Sequence, residues 1–553
     1  METFKIIYSV LGGLGIFFFG MKMMSDSLQQ AASDVITRVI NSLTTNRFLA
    51  VVVGMIVTMI VQSSSVTTVM TVGFVNAGLM QLTQAIGVIF GSNIGTTITG
   101  WIISIKVGKY GLLLIGLGIF PTLFSKNPKM QHIGKVLFGV GMIFFGLEIM
   151  SNSFKPLRTN QEFLDMIAYF SGQNYASYFA SIVTGCLLTV IIQSSSAMLG
   201  ITIALATAGV IEFNTAAALV MGENIGTTIT ALLASVGTTT NAKRAARAHA
   251  FFNVFGVLAV FSFLPWYLEF IEWMVPGVAD EVTPAGEYPN IAAHIAASHT
   301  FFNITATILF LPFLGHLAKF VTKITPDKEG EESKHLIIVG DSNEIVPATA
   351  IAQAESEVRK MYDVCGRMYK ATLAYIKEPK SKKLAKISEY ENITDRMQKE
   401  VTVFMCKVME KPMSEGQSLR SQAMIKIVDE LESIADYLER MVRDKNRVAR
   451  SKENDPSLDE EYTKYFKHVW DFLDDCFEGF TGERVYDISD INTRSEKLRI
   501  WADDIRNRHL EKVNTGQYSA LSALSYSDMV ANIRKIRAHA ANLGEAVVMM
   551  HTK

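Results

Sequence analysis

The chain has 553 residues, a formal net charge of −1 and 19% charged residues. That balance leaves no basic excess for a nucleic-acid surface, and the length exceeds one ordinary domain. The charges are unevenly placed: 28 fall in residues 1–322, about 9% of that stretch, and the other 77 in the remaining 231 residues, about 33%. Soluble domains carry about a quarter, so an apolar half precedes a highly charged one.

Apolar runs follow one another through the first half, at residues 6–24, 49–61 continuing into 66–75, 111–124, 136–150, 182–192 with 197–210, 251–268 and 291–313. A helix crosses a bilayer in about 20 residues, so the runs predict an all-α, polytopic membrane protein. The first run lacks a charged leader and a small-residue cleavage site, which predicts a retained span. Cys186, Cys365, Cys406 and Cys476 have no paired spacing, so neither a zinc site nor a disulfide framework is expected.

Lys and Arg bias predicts part of the topology. A loop at residues 241–249 carries Lys243, Arg244 and Arg247 and is expected inside. The loop at 266–290 has no Lys or Arg but carries Glu269, Glu272, Asp280, Glu281 and Glu287, and is expected outside. The following span returns the chain to Lys319 and Lys323, which places the charged half in the cytoplasm. Lys22, Lys106 and Lys109 give no clean alternation.

Residues 58–99 align with 189–230 without a gap, at an offset of 131. Gln62-Ser63-Ser64-Ser65 falls on Gln193-Ser194-Ser195-Ser196, and Asn93-Ile94-Gly95-Thr96-Thr97 on Asn224-Ile225-Gly226-Thr227-Thr228. Residues 19–27 also match 145–153. The duplication predicts repeats at about 5–125 and 132–260, a common plan of secondary transporters. His249-Ala-Phe-Phe-Asn253 recurs as His299-Thr-Phe-Phe-Asn303, which reads as a helix-packing feature.

Four consecutive polar side chains inside an apolar run must face a cavity, a ligand or a broken helix, because unsatisfied polar groups are costly in hydrocarbon. Serine hydroxyls and the Gln carbonyl suit sodium, and freed N–H groups at a half-helix N-terminus suit an anion. Back-bonding or close packing of the serines is the alternative. Gly91/Gly95 and Gly222/Gly226 have the spacing of close helix contacts, while the Asn and Thr oxygens beside a glycine able to open the helix suit a binding site. Glu223, where the first repeat has Ser92, is either functional or paired with the basic loop.

The paired Gln-Ser-Ser-Ser and Asn-Ile-Gly-Thr-Thr motifs and the His-x-Phe-Phe-Asn segment resemble the type II sodium–phosphate cotransporter family over about residues 5–320. The resemblance implies two inverted repeats with broken or re-entrant helices, binding phosphate and co-transported sodium where the Gln-Ser-Ser-Ser stretches meet. Residue by residue it points to Gln62, Ser63, Ser64, Ser65, Asn93, Thr96, Thr97, Gln193, Ser194, Ser195, Ser196, Asn224, Thr227 and Thr228, beside which we place Glu223. Electrogenic vertebrate members carry an acid shortly after the first Asn-Ile-Gly-Thr. Residues 100–110 contain none here, so the resemblance leaves the sodium stoichiometry open.

Residues 323–346 read as a polar linker, and 347–553 as long amphipathic helices broken near 411–417, 451–457 and 514–519. This half resembles PhoU-like domains, which pair three-helix bundles and often hold metal through Glu-x-x-x-Asp motifs. Glu391/Asp395 and Glu432/Asp436 fit that pattern and suggest a divalent metal, with a solvated acidic face as the alternative. Arg534 to His539, the corresponding stretch of the second bundle, lacks the acids.

The expected function is sodium-coupled phosphate symport by a transmembrane domain over 1–322, in contact with membrane lipids in a bacterial inner membrane. The PhoU-like domain would regulate it or mediate homo-oligomers or a regulatory protein contact. The alternatives are another oxyanion, proton coupling through Glu223, or a phosphate sensor that does not transport. An enzyme is not expected, since no acid is spaced to orient His249 or His299 as a base.

Overall fold

The computed structural model describes residues 2–31, 46–76, 78, 80–105, 110–160, 174–236, 238–326, 347–379, 381–411, 413–451, 456–482, 487–515 and 520–551. Lys106, Lys109 and most of the predicted linker lie outside these residues. No strand occurs among the described residues, and the chain divides into two compact units.

The first unit is apolar and helical. It contains α1 (Glu2–Ala31), α2 (Arg47–Val61), α3 (Ser64–Asn76), α4 (Leu82–Thr96), α5 (Ile98–Ser104), α6 (Gly111–Phe124) and α7 (Pro128–Phe154). After these come α8 (Tyr175–Ile192), α9 (Ser195–Thr207), α10 (Phe213–Gly226), α11 (Thr228–Ala234), α12 (Thr240–Phe261), α13 (Leu264–Met274), α14 (Ile291–Phe310) and α15 (Leu314–Ile324). Six spans are long and apolar enough to cross a membrane, and a seventh if α12 and α13, bent by 84°, count as one. Among these six are Phe4–Gln29, Leu82–Ser104 (α4 with α5), Pro128–Arg158 and Phe213–Ala234 (α10 with α11).

Glycines set how closely the helices approach. A Cβ on Gly91 would overlap the Val51 carbonyl oxygen, and one on Gly54 would overlap that of Val88. At the offset of 131 the same contacts recur, Gly222 against Ile182 and Gly185 against Leu219. Gly95 meets Met55 and Thr58, as Gly226 meets Cys186 and Thr189. Backbone therefore lies on backbone between α2 and α4 and between α8 and α10, as small residues permit. The ascending register of these contacts makes each pair parallel.

The leading helices of the two repeats are antiparallel to one another. Gly13 packs on Gly146, and Gly20 on Gly139. Because Gly20 and Gly146 are matched positions, each contact is the image of the other, and the repeats are inverted.

The second unit is two three-helix bundles. α16 (Pro347–Lys377), α17 (Ser381–Met409) and α18 (Glu415–Ser451) form one, and α19 (Pro456–Thr481), α20 (Ile488–Asn514) and α21 (Ala520–His551) the other. The three breaks read from sequence fall between these helices. α18 and α21 join the bundles in an antiparallel seam, through Glu430 Oε2 to His539 Nδ1 at 2.6 Å and Asn532 Nδ2 donating to Asp444 Oδ2 at 2.7 Å.

Val in place of Gly91 must force α2 from α4, whereas a Cβ on Gly116 meets nothing within 4 Å. We expect Gly91→Val to cost about 1–3 kcal/mol and Gly116→Ala to be neutral or stabilising by up to about 1 kcal/mol. Thermal unfolding of the two purified proteins in detergent checks this.

Candidate functional site

Gln62 and Gln193 are the non-glycine residues with positive φ among the described residues, at φ 57° and ψ 24° and at φ 57° and ψ 23°. Each ends a helix, its N–H donating to Thr58 O or Thr189 O at 2.7 Å. A left-handed residue reverses the path of the helix. The run 49–75, which by length could cross, instead folds back at Gln62 and Ser63. Since α4 runs parallel to α2, and only five residues join α3 to α4, α3 must return to the side where α2 began. α2 and α3 are thus a re-entrant hairpin, and α8 and α9 its image.

The two hairpins open toward opposite sides. At the open end of the first, Asn76 Oδ1 accepts the Thr239 N–H at 2.9 Å, beside the start of α12. The second opens at Ala208, whose carbonyl accepts from Arg158, and Arg158 also donates to Gly286 O at 3.1 Å. On that side Asp280 accepts the Phe213 N–H at the start of α10 at 3.0 Å.

Each tip joins a helix C-terminus to a helix N-terminus, so it offers carbonyls to a cation and a positive dipole end to an anion. Ser63 and Ser194 cap α3 and α9, accepting from Val66 N at 3.2 Å and Ala197 N at 3.3 Å. Gln62 is braced by Thr99 Oγ1, which donates to Oε1 at 3.2 Å, and its own Nε2 donates to Met59 O. Ser65 Oγ lies 3.3 Å from Thr227 Oγ1, which brings the first quartet to the Asn-Ile-Gly-Thr-Thr segment of the other repeat. The tips are not equally covered: Gln62, Ser64 and Ser65 are buried, whereas Gln193 is exposed and Ser194 and Ser195 half-buried.

The second motif marks a shallow irregularity within a continuous span. Thr97 and Thr227 stand between α4 and α5 and between α10 and α11, in right-handed conformation. Contrary to the reading of a glycine that opens the helix, Gly95 and Gly226 leave it closed and are contact surfaces for α2 and α8. Thr97 and Thr228 turn their hydroxyls to the carbonyls of Ile94 and Ile225 at 2.8 Å, and Asn224 donates to Val220 O at 2.9 Å. Thr96 is buried beside them.

Asn93 donates to Asn253 Oδ1 at 3.2 Å. The His-x-Phe-Phe-Asn echoes therefore belong to this region as well as to packing. Asn253 and Asn303 each donate back to the carbonyl of their own His249 or His299, at 3.1 and 2.9 Å. Both imidazoles are buried, with His249 Nδ1 and Nε2 and His299 Nδ1 lacking partners among the described residues. The signal in sequence was the repeated pentapeptide, which without depth or neighbours reads as packing.

Two further expectations change. The basic segment at 241–249 is not a loop but the first turns of α12. Arg244 donates to Thr325 O at 3.0 Å, and Arg247 to Ile324 O at 3.1 Å and Thr325 Oγ1 at 2.6 Å, capping the C-terminal end of α15. Glu223 accordingly does not pair with that segment: Oε1 accepts from Thr202 Oγ1 at 2.9 Å. The acidic stretch 266–290 likewise begins with the helix α13.

In the second unit Glu391, Asp395, Glu432 and Asp436 face one another from α17 and α18. Burial first, and then the neighbouring carboxylates, push the Glu391 and Glu432 carboxyls above the usual range. Asp395 is paired with Lys399 at 2.8 Å and Asp436 with Arg440 at 2.6 Å. No group of three or more His, Cys, Asp or Glu among the described residues is arranged to hold a metal ion. With two of the four acids neutralised by side-chain cations, the set does not fit the expected divalent metal.

Inverted repeats with re-entrant hairpins and polar tips are a plan found in many secondary transporters. A family model described as Na+/Pi-cotransporter matches residues 16–152 and 164–267, and a PhoU domain model matches 358–444. A Bacillus subtilis protein of undescribed function, YqeW, is 32% identical over 58% of this chain and 99% of its own length. YjbB of Salmonella typhimurium, provisionally named as an inorganic phosphate export protein, is 24% identical over 82% of this chain and 80% of its own. The rat sodium-dependent phosphate transport protein 2A is 37% identical over 17% of this chain and 15% of its own. No solved structure matches. The chain belongs to the Na+/Pi-cotransporter family and carries a PhoU domain in its charged half.

Left-handed backbone costs a side-chain-bearing residue about 1–2 kcal/mol. Gln62→Gly and Gln62→Val both lose the Gln62 side-chain hydrogen bonds, so of the two Gly should be the more stable by about 1–2 kcal/mol, Val being β-branched at positive φ. Melting curves of the two variants in detergent decide whether the observed break is right.

Proposed function

We propose that the chain is a sodium-coupled symporter of inorganic phosphate in a bacterial inner membrane. Its transport part spans residues 1–322, and a cytoplasmic PhoU-like part spans 347–553, joined through 323–346. The substrate and ion ligands we assign are Gln62, Ser63, Ser64, Ser65, Asn93, Thr96, Thr97, Gln193, Ser194, Ser195, Ser196, Glu223, Asn224, Thr227 and Thr228. The observation that carries the reading is the pair of matched left-handed breaks, with Ser65 of one repeat touching Thr227 of the other. The Arg244 end is taken as cytoplasmic on the Lys and Arg bias.

Energetics favour cation coupling. Carrying one charge across the membrane is worth about 2.3 kcal/mol per 100 mV, so importing divalent phosphate into a negative interior costs roughly 4.6 kcal/mol per 100 mV. Two or more sodium ions moving inward cancel that cost. In proteoliposomes an inward sodium gradient should drive radiolabelled phosphate uptake several-fold above a potassium control. Equal uptake without sodium, or uptake following a proton gradient instead, would overturn the coupling.

A second reading, export, is favoured by the likeness to YjbB across 80% of that protein. Efflux from preloaded vesicles that needs no sodium on either side would select it.

If each hairpin supplies one half of a shared site, Ser64→Ala and Ser195→Ala should both weaken sodium or phosphate affinity by roughly 10- to 100-fold, from about 1.5–3 kcal/mol per hydrogen bond to a charged group. Were the serines packing residues only, Ala would be nearly silent. Uptake kinetics normalised to membrane protein separate the two.

The PhoU-like part is proposed to tune transport without being required for it. The contacts of Arg244 and Arg247 with Ile324 and Thr325 place the useful cut after Pro326. A chain ending there should insert and still move phosphate; insertion without flux would defeat the division of labour.

A further inference from the structure

Glu223 breaks the symmetry of the repeats at their best-matched segment. In the first repeat the same position is Ser92, whose hydroxyl lies 3.4 Å from Thr68 Oγ1 in a neutral, buried pair. In the second it is a carboxylate only 1% exposed. One oxygen accepts from Thr202, itself fully buried, and the other, Oε2, has no hydrogen-bond partner among the described residues. Arg244 and Arg247, in the basic segment that follows it, are engaged with Ile324 and Thr325. A buried carboxylate without a compensating cation is costly.

A second unsatisfied oxygen stands at the same depth. α10 and α14 pack with their N-terminal ends together, the rings of Phe213 and His294 lying 5.7 Å apart, so the two helices run the same way. Counting from that contact, Glu223 is ten residues along α10 and Asn303 nine along α14. At about 1.5 Å per residue they differ in depth by about one residue. Asn303 donates its amide to His299 O, and its buried Oδ1 lacks a donor among the described residues.

We propose that Glu223, with Thr202 and Asn303, forms a sodium site particular to the second repeat. Carboxylate, hydroxyl and amide oxygens are the hard donors that such a cation takes. The first repeat, closed by the Ser92 and Thr68 hydroxyls, has no counterpart, so the transporter carries an unpaired cation site beyond whatever the symmetric tips hold. The inference rests on the sodium-coupled reading above, yet it can be tested apart from flux.

The test is binding of radiolabelled sodium to the full chain in detergent, without and with inorganic phosphate. Glu223→Gln keeps the shape, and Glu223→Ser installs the residue that the first repeat already accommodates. Both should bind about one sodium fewer per chain than the parent, and Asn303→Ala and Thr202→Ala should lower sodium affinity about tenfold. Sodium binding by both Glu223 variants equal to the parent in number and affinity would overturn the site. So would loss of a proton dependence of uptake with the sodium dependence intact. If the parent showed no sodium-driven uptake but the variants still lost a bound sodium, the site would stand and the symport reading would fall. Sodium-driven uptake with unchanged binding in the variants would do the reverse.

Discussion

Everything in the apolar unit follows from breaking a helix where no water is available to repair the break. A helix end leaves backbone groups unsatisfied, and hydrocarbon makes that expensive. Here each break is closed locally: the left-handed glutamine returns its N–H to the helix it ends, and the next serine caps the helix that follows. Thr58 Oγ1 donates to Thr67 Oγ1 at 2.9 Å, tying the two arms of the first hairpin just behind its tip. Polar residues at the tip thus serve the backbone first, and what remains of their hydrogen-bonding capacity is available to a ligand.

Close helix contact is the second requirement. A hairpin that stops halfway across must be held by its neighbours, and the parallel pairs α2 with α4 and α8 with α10 do this with backbone against backbone. The same glycines explain why the contacts recur at the offset of 131: bulk at any one position would push a half-helix away from its support. The tips nevertheless differ. Ser25 on α1 donates to Val61 O at the first tip at 2.7 Å, whereas its match on α7, Ser151, lies 3.3 Å from Thr207 at the open end of the second hairpin. Similar sequences thus sit in different surroundings, one tip buried and the other open. Inverted repeats in a transporter can differ in this way, because access to a shared site alternates between sides.

The charged unit is held by different forces. Its core is a continuous apolar seam between helices, with Phe404, Leu431, Leu438, Phe466 and Ile533 buried. Around it lie many surface ion pairs of neighbouring turns, such as Arg440 with Asp436 and Lys399 with Asp395. Such pairs contribute little to stability individually. Here they occupy two of the four carboxylates, Asp395 and Asp436, that a metal would need.

Sequence alone determined the division into an apolar and a charged half, the duplication, the motifs and the helical class, because each is written in composition, period or repetition. It also located three of the five breaks of the charged half, where polar and glycine residues interrupt a helical period, but not those after Lys377 and Thr481. Three matters were decided only by tertiary structure. Gln62 and Gln193 carry no sign of left-handed backbone, since glutamine is not a residue that favours it; the parallel packing of α4 on α2 requires the reversal. The basic stretch at 241–249 looked like a loop because charge interrupts an apolar run, yet those side chains reach carbonyls of a helix some 80 residues away. Glu223 and Asn303 are 80 positions apart in the chain, and only the common start of α10 and α14 brings them to one depth. Pattern reads what neighbours in sequence do, whereas solvation at membrane depth depends on partners that the fold alone supplies.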